Sequence, residues 1–336
     1  MKENNITSLD LFRGIAGYGV AICHFYYYLL NINDFQFYSF FFVEFFFILS
    51  GFVLYPQLLK VYKDTRNTKI FYLRRLFRTI PPYLLALILY SILFSKFDKD
   101  TLKYLFFIQN ISENFINFDY FYVAWSLSIE EFFYFLFPVF LVVFNKKKFV
   151  HIIFFFISII YCIKIIYLIQ DFDSEFYRVG TFLRLDSIAF GILTRIYYKK
   201  IKNNFINIIS LLFTALLIFL FAQDEKNLSS IELFLFILGI QFFSINAILL
   251  FINLDRFLSH KLLKSFFSLL SKQTYSVYLF HFIILYLISL NEKLLSTNFT
   301  IYIYLTTLFL FSSLFYYAFE KNIIKNRPNY KYATDE

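Results

Sequence analysis

An arginine and a histidine sharing one face of an apolar helix are the first residues of this sequence equipped for chemistry. The stretch FRGIAGYGVAICHF, residues 12–25, carries Arg13 near one end and His24 near the other. A charge at the centre of a bilayer-crossing helix costs roughly 3 kcal/mol or more, so each residue needs a reason to be there. They lie 24 − 13 = 11 positions apart. That is about 16 Å of helical rise and close to three whole turns, which places both on one side. Imidazole is the side chain best suited to take or give a proton near neutral pH, and guanidinium matches the geometry of a phosphate.

Other polar residues recur in apolar surroundings. Arg75 and Arg78 stand one turn apart and project on a common side. Glu320 is expected at a similar depth, giving a cationic inner layer with one acid. Glu44, the block WSLSIEE (125–131), Arg184, Asp186 and His281 are expected in the outer half. Ser126 and Glu130 are i,i+4 neighbours, so the hydroxyl is in reach of the carboxylate. Histidine and carboxylate together in a partly dry site are the materials of general acid/base catalysis. Each residue also has an ordinary structural role open to it. A membrane histidine can be an interhelical hydrogen bond. The arginine pair can simply fix topology, and Glu44, Arg184 and Asp186 can neutralise one another as ion pairs. Lys164 is expected to snorkel to water, Trp125 to sit in an interfacial belt or stack on a sugar, and Gly14, Gly17 and Gly19 to permit close helix packing.

The elements that position these residues are legible in the composition. The chain has 336 residues, 60% of them hydrophobic, with a mean hydropathy of +0.63. The apolar residues fall in long blocks, which predicts an all-α polytopic integral membrane protein. The 53 Phe and 28 Tyr match an AT-rich coding sequence, so no function is read into them. About ten transmembrane helices are expected, at roughly 10–30, 38–57, 79–95, 121–144, 149–169, 180–198, 205–222, 231–252, 273–290 and 299–319. The segment 101–120 is too polar to span and reads as a surface loop. Basic connections at 56–78, 145–148, 195–202 and 255–264 alternate with acidic or near-neutral ones at 31–36, 170–176, 223–227 and 291–295. The positive-inside bias then predicts both termini in the cytoplasm. With that alternation, the net charge of +9 is a topology signal and not a nucleic-acid footprint. Cys23 and Cys162 lie in apolar runs and imply no disulfide. A single membrane domain is expected over residues 1–336, with a short tail after 320, no signal peptide and no appended soluble domain.

Six blocks appear together and in order: LDLFRGIAGYGVAICHF (9–25), FFVEFFFILSGFVL (41–54), YLRRLFRTIPPYLLAL (72–87), AWSLSIEEFFYFLFPV (124–139), RLDSIAFGIL (184–193) and YSVYLFHFIIL (275–285). The combination resembles the acyltransferase-3 family of membrane-bound O-acyltransferases, over residues 9 to about 320. The resemblance implies ten core helices in a bacterial inner membrane and transfer of an acyl group to a hydroxyl of a surface or exported molecule. The donor is usually acetyl-CoA, no metal is involved, and common acceptors are sugars of lipopolysaccharide, capsule or peptidoglycan. By motif position, Arg13 and His24 correspond to the family's essential pair, and Arg75 and Arg78 to its basic pair. The chain departs from the family at Glu44, where aspartate is usual. The extra helix or hydrolase-like domain of many relatives is not expected here, and the chain is expected to act as the minimal unit.

These lines combine into one expectation. Arg75, Arg78 and Arg13 hold the phosphates of cytosolic acyl-CoA. His24, assisted by Glu130, deprotonates the acceptor hydroxyl; an acyl-histidine intermediate fits the sequence too. Glu44, Trp125, Ser126, Arg184, Asp186 and His281 are supporting candidates. The chief rival is a transporter or flippase of a polysaccharide precursor or lipid, which commonly shows two matching halves with broken helices. No such duplication is visible in the sequence. A lipid-binding scaffold would not need paired arginines and a histidine at fixed spacing.

Overall fold

In hydrocarbon every backbone N–H and C=O must be satisfied within its own segment, so long apolar runs fold as helices. The computed structural model describes residues 6–115, 120–170, 174–201, 204–222, 229–258, 260–291 and 299–330, and all regular structure among them is helical. The order is α1 (Thr7–Leu30), α2 (Asp34–Lys63), α3 (Asn67–Leu93), α4 (Lys99–Leu105), α5 (Ala124–Val143), α6 (Phe149–Ile169), α7 (Ser174–Val179), α8 (Leu185–Tyr197), α9 (Asn204–Ala222), α10 (Ser230–Leu258), α11 (Lys261–Ser289), α12 (Thr300–Phe315) and α13 (Lys321–Lys325). A π-helical turn, Tyr316–Glu320, joins the last two.

Each of the ten expected stretches contains a helix. Six helices among the described residues are long and apolar enough to cross a membrane: α2, α3, α5, α6, α10 from Ile231, and the run Thr300–Lys325. The remaining four stretches fall short for physical reasons. Helices α1 and α11 carry the polar row described below, α8 has only 13 residues, and the described apolar part of α9 is Phe205–Leu216. Large side chains such as Phe154, Phe155, Ile165 and Ile166 on α6 and Leu212 and Phe213 on α9 face outward. That surface is costly in water and matched by lipid. The protein is a helical membrane protein.

The segment expected as a surface loop departs from that reading. Asp98 caps α4 by accepting from the N–H groups of Asp100 and Thr101, and Tyr104 and Tyr120 are buried beside Tyr83 and Phe121. A short capped helix with aromatic anchors replaces the loop; residues 116–119 lie outside the described part. The acidic connection at 223–227 and residues 171–173 and 292–295 of the other two lie outside it as well.

The chain divides into two compact units. The first comprises Met1–Phe46, Asn203–Leu212 and Asn246–Asn322; the second Phe47–Lys202, Phe213–Ile245 and Ile323–Glu336. In the first, α1 packs lengthwise on α11, which packs on α12. A Cβ on Gly17 would meet Thr274 Cγ2 at 2.7 Å, so only glycine allows this approach. In the second unit Gly51 of α2 and Gly191 of α8 meet backbone to backbone in the same way.

Candidate active site

In the first unit, the expected common face of Arg13 and His24 is realised as a common partner helix. Arg13 Nη1 donates to Ser271 Oγ at 3.1 Å, and His24 Nδ1 lies 2.8 Å from His281 Nε2. The partners advance in the same direction on both helices, so α1 and α11 run parallel. Both imidazoles are buried, and their rings stack with centroids 5.1 Å apart. The polar row continues along α11: Gln273 donates to Tyr18 and accepts from Ser313, and the Ser276 hydroxyl donates to Glu320. The π turn rotates Glu320 inward to meet that hydroxyl.

The tautomers follow from the partners. His281 Nδ1 faces two acceptors, the carbonyls of Tyr278 at 2.8 Å and Val277 at 3.2 Å, so Nδ1 carries the hydrogen. A neutral imidazole has one N–H, which leaves His281 Nε2 as an acceptor. The short contact then requires His24 Nδ1 to be the donor, and the lone pair of His24 resides on Nε2. A backbone carbonyl thus fixes, through one ring, which nitrogen of the next ring can accept a proton. The Tyr304 hydroxyl also donates weakly to the carbonyls of Ala21 and His281, tying α12 to the same level.

In the second unit, α3 and α5 bring together Arg75, Arg78, Glu130 and Glu131. Arg75 is buried, donates from Nη2 to Gln57 Oε1 at 2.8 Å, and lies over the rings of Tyr134 and Phe71. Glu130 accepts from the Tyr134 hydroxyl at 3.0 Å and is within electrostatic reach of Arg78 and Arg75. Tyr134 is also hydrogen-bonded to Ser50 at 2.9 Å.

Within its unit Glu130 thus belongs to the basic cluster, through Tyr134 and the reach of both arginines, and the His24 ring has His281 as a partner. Ser126 Oγ donates to the carbonyl of Val123.

Three further expectations change. Lys164 does not snorkel: it is fully buried and paired with Asp186 at 2.5 Å, with Gln241 donating to the same carboxylate oxygen. Asp186 is thus neutralised by Lys164, while Arg184 donates to the carbonyl of Arg178 and lies over Phe47. Glu44 is buried as well. Trp125 is buried against Phe47 and is not a belt residue. Sequence reasoning missed Tyr134 and Gln241. The first sits four residues after Glu130, the spacing already applied to Ser126; the second is a lone amide in an apolar run, itself a signal of a buried partner.

The described residues thus include a buried imidazole pair and a cluster of arginine and glutamate, side chains whose chemistry suits proton transfer and anion binding. The acyltransferase-3 family profile, described as an acyltransferase domain, matches residues 6–318, and the chain belongs to that family. A protein of Staphylococcus aureus strain COL, provisionally named an O-acetyltransferase, is 29% identical over 324 residues, covering 84% of this chain and 51% of the relative. The O-acetyltransferase OatA of S. aureus strain NCTC 8325 is 26% identical over 348 residues, covering 91% of this chain and 54% of the relative. The chain thus spans about half the length of these relatives. No solved structure matches it.

Proposed function

We propose that the protein is an O-acetyltransferase of a bacterial inner membrane, with both termini cytoplasmic, that moves an acetyl group from cytosolic acetyl-CoA to a hydroxyl of a surface or exported glycan. The names of its relatives, O-acetyltransferases, support acetyl as the group and oxygen as the acceptor. His24 is the general base. Its Nε2 takes the proton of the acceptor hydroxyl as that oxygen bonds to the thioester carbonyl carbon. The carbon–sulfur bond then breaks, and the proton passes to the departing thiolate, releasing CoA as its thiol. His281 is a positioning residue, holding His24 in the productive tautomer. Arg75 and Arg78 hold the donor's phosphates, and Arg13 is a further cation for that anionic end.

The observation that carries this reading is the chain from the Tyr278 carbonyl through His281 to His24. A histidine whose lone pair is assigned by a backbone carbonyl is oriented for one proton transfer, a role worth about 100- to 10,000-fold in rate. The test uses membranes, labelled acetyl-CoA and host envelope glycans. His24→Ala is expected to lose at least about 100-fold of label transfer at an unchanged protein level in the membrane. Undiminished transfer by that variant overturns the assignment.

A further inference from the structure

Within the second unit the basic cluster extends onto side chains that this reaction scheme leaves unused. After α13 the chain turns so that the Pro328 carbonyl accepts from Arg74 Nη1 at 2.6 Å. The Tyr330 ring then lies under two cations, with Lys60 Nζ 4.9 Å and the Arg74 guanidinium carbon 5.1 Å from its centre. Arg75 and Arg327 are within electrostatic reach of the same phenol.

What this cluster lacks is acceptors. Arg74 Nε, Arg75 Nε and the Tyr330 hydroxyl are all buried without a hydrogen-bond partner. A guanidinium N–H can only donate. Burial holds the Tyr330 phenol above its ordinary pKa against the pull of the arginines, so at neutral pH it too is an O–H donor. Leaving a buried donor unpaired is costly, more so when it is charged, and native proteins keep few such groups. Glu130 accepts from Tyr134 and is hydrogen-bonded to none of these three donors. A group that brings several acceptor oxygens and negative charge at once would satisfy all three donors and the Lys60 ammonium.

We propose that Lys60, Arg74, Arg75 and Tyr330 form a phosphate-binding site, onto which the segment 326–330 acts as a strap that delivers the Tyr330 hydroxyl. The proposal rests on the donor-site reading above and adds to it: the anion held is the phosphate or diphosphate of the acyl donor, and the strap is one wall of its site. An anionic lipid headgroup offers the same chemistry, and the test separates the two.

Purified full-length protein in detergent is titrated with acetyl-CoA, inorganic pyrophosphate and a short-chain phosphatidic acid. Tyr330→Phe removes one oxygen and leaves the ring over its cations, so its fold is expected to be intact. It should weaken acetyl-CoA and pyrophosphate binding by about 10-fold, and Arg74→Gln by more. Weakening confined to phosphatidic acid supports the phosphate site and removes its assignment to the donor. If both variants bind all three probes like the wild type while Arg75→Ala loses acetyl-CoA, the strap proposal fails and the donor reading stands. Tighter binding in Tyr330→Phe overturns the proposal, because the strap would then be a plug.

Discussion

The two polar constellations of this protein are built on opposite principles. In the first unit the imidazole pair is closed: the His281 N–H has a carbonyl, its lone pair has the His24 N–H, and the helix pair beneath is held at glycine distance. In the second unit the basic cluster is open, with donors on Arg74, Arg75 and Tyr330 left over. Closure suits a group that must present one nitrogen in one orientation, since each fixed partner removes an alternative tautomer or rotamer. Openness suits a site whose partner comes and goes. In these two clusters, satisfied partners fix the orientation of a ring, and leftover donors are open to an incoming acceptor.

That reading breaks if leftover donors are merely ordinary for cations in this protein. Lys164 is the control, being a cation in the same unit that is fully closed by Asp186. Lys164→Leu leaves a buried carboxylate without its counter-charge, which costs about 3–5 kcal/mol. A large drop in thermal stability in detergent is expected, largely recovered when Asp186→Leu is added. Arg74→Gln, which removes a cation from the open cluster together with its hydrogen bond to the Pro328 carbonyl, should cost clearly less than Lys164→Leu. Equal destabilisation by Lys164→Leu and Arg74→Gln would mean that the open cluster is as structural as the closed pair, and the contrast would collapse.

The closed side is sharpened at His281. Phenylalanine there fills the space but cannot accept from His24 Nδ1, whereas the carbonyl of glutamine can. His281→Phe is expected to lower kcat about 100-fold with little change in KM for acetyl-CoA, and His281→Gln to recover a substantial part. A structural role alone would lower the amount of folded enzyme in both variants and leave kcat per folded molecule untouched.

How much of this was legible in the sequence follows the same division. Helix positions were readable because hydrocarbon permits almost no alternative to a helix, and the pairing of Arg13 and His24 on one face followed from the helical repeat. The partner helix did not, because Ser271 and His281 are more than 250 positions away and periodicity carries no information across that distance. Lys164 shows the limit most clearly. A lysine near the end of an apolar run looks the same whether it snorkels or pairs, and only the packing of α6 against α8 decides it. The neighbours of Glu130 were hidden in the same way, because only the packing of α5 on α3 brings it within reach of Arg75 and Arg78. Tyr330, beyond the last predicted helix, carried no pattern at all.

The smallest effect belongs to a pair that closes a cation outside the membrane helices. In the turn after α2, Asp64 accepts from the backbone N–H, Nε and Nη2 of Arg66, and these bonds hold its carboxyl below its ordinary pKa of 3.8. A depressed carboxylate stabilises the fold above its ordinary value, and the contribution is lost as pH falls below 3.8 toward the depressed value. The pair is exposed and screened by salt, so little is expected from it. Asp64→Asn should therefore melt close to the wild type at neutral pH and converge with it fully under acid conditions. Acetyl-CoA affinity should be unchanged, because Arg66 is not one of the cluster's open donors. If releasing Arg66 tightened acetyl-CoA binding, the open site would extend beyond Lys60, Arg74, Arg75 and Tyr330, and the line drawn between closed and open cations would have to move outward along α3.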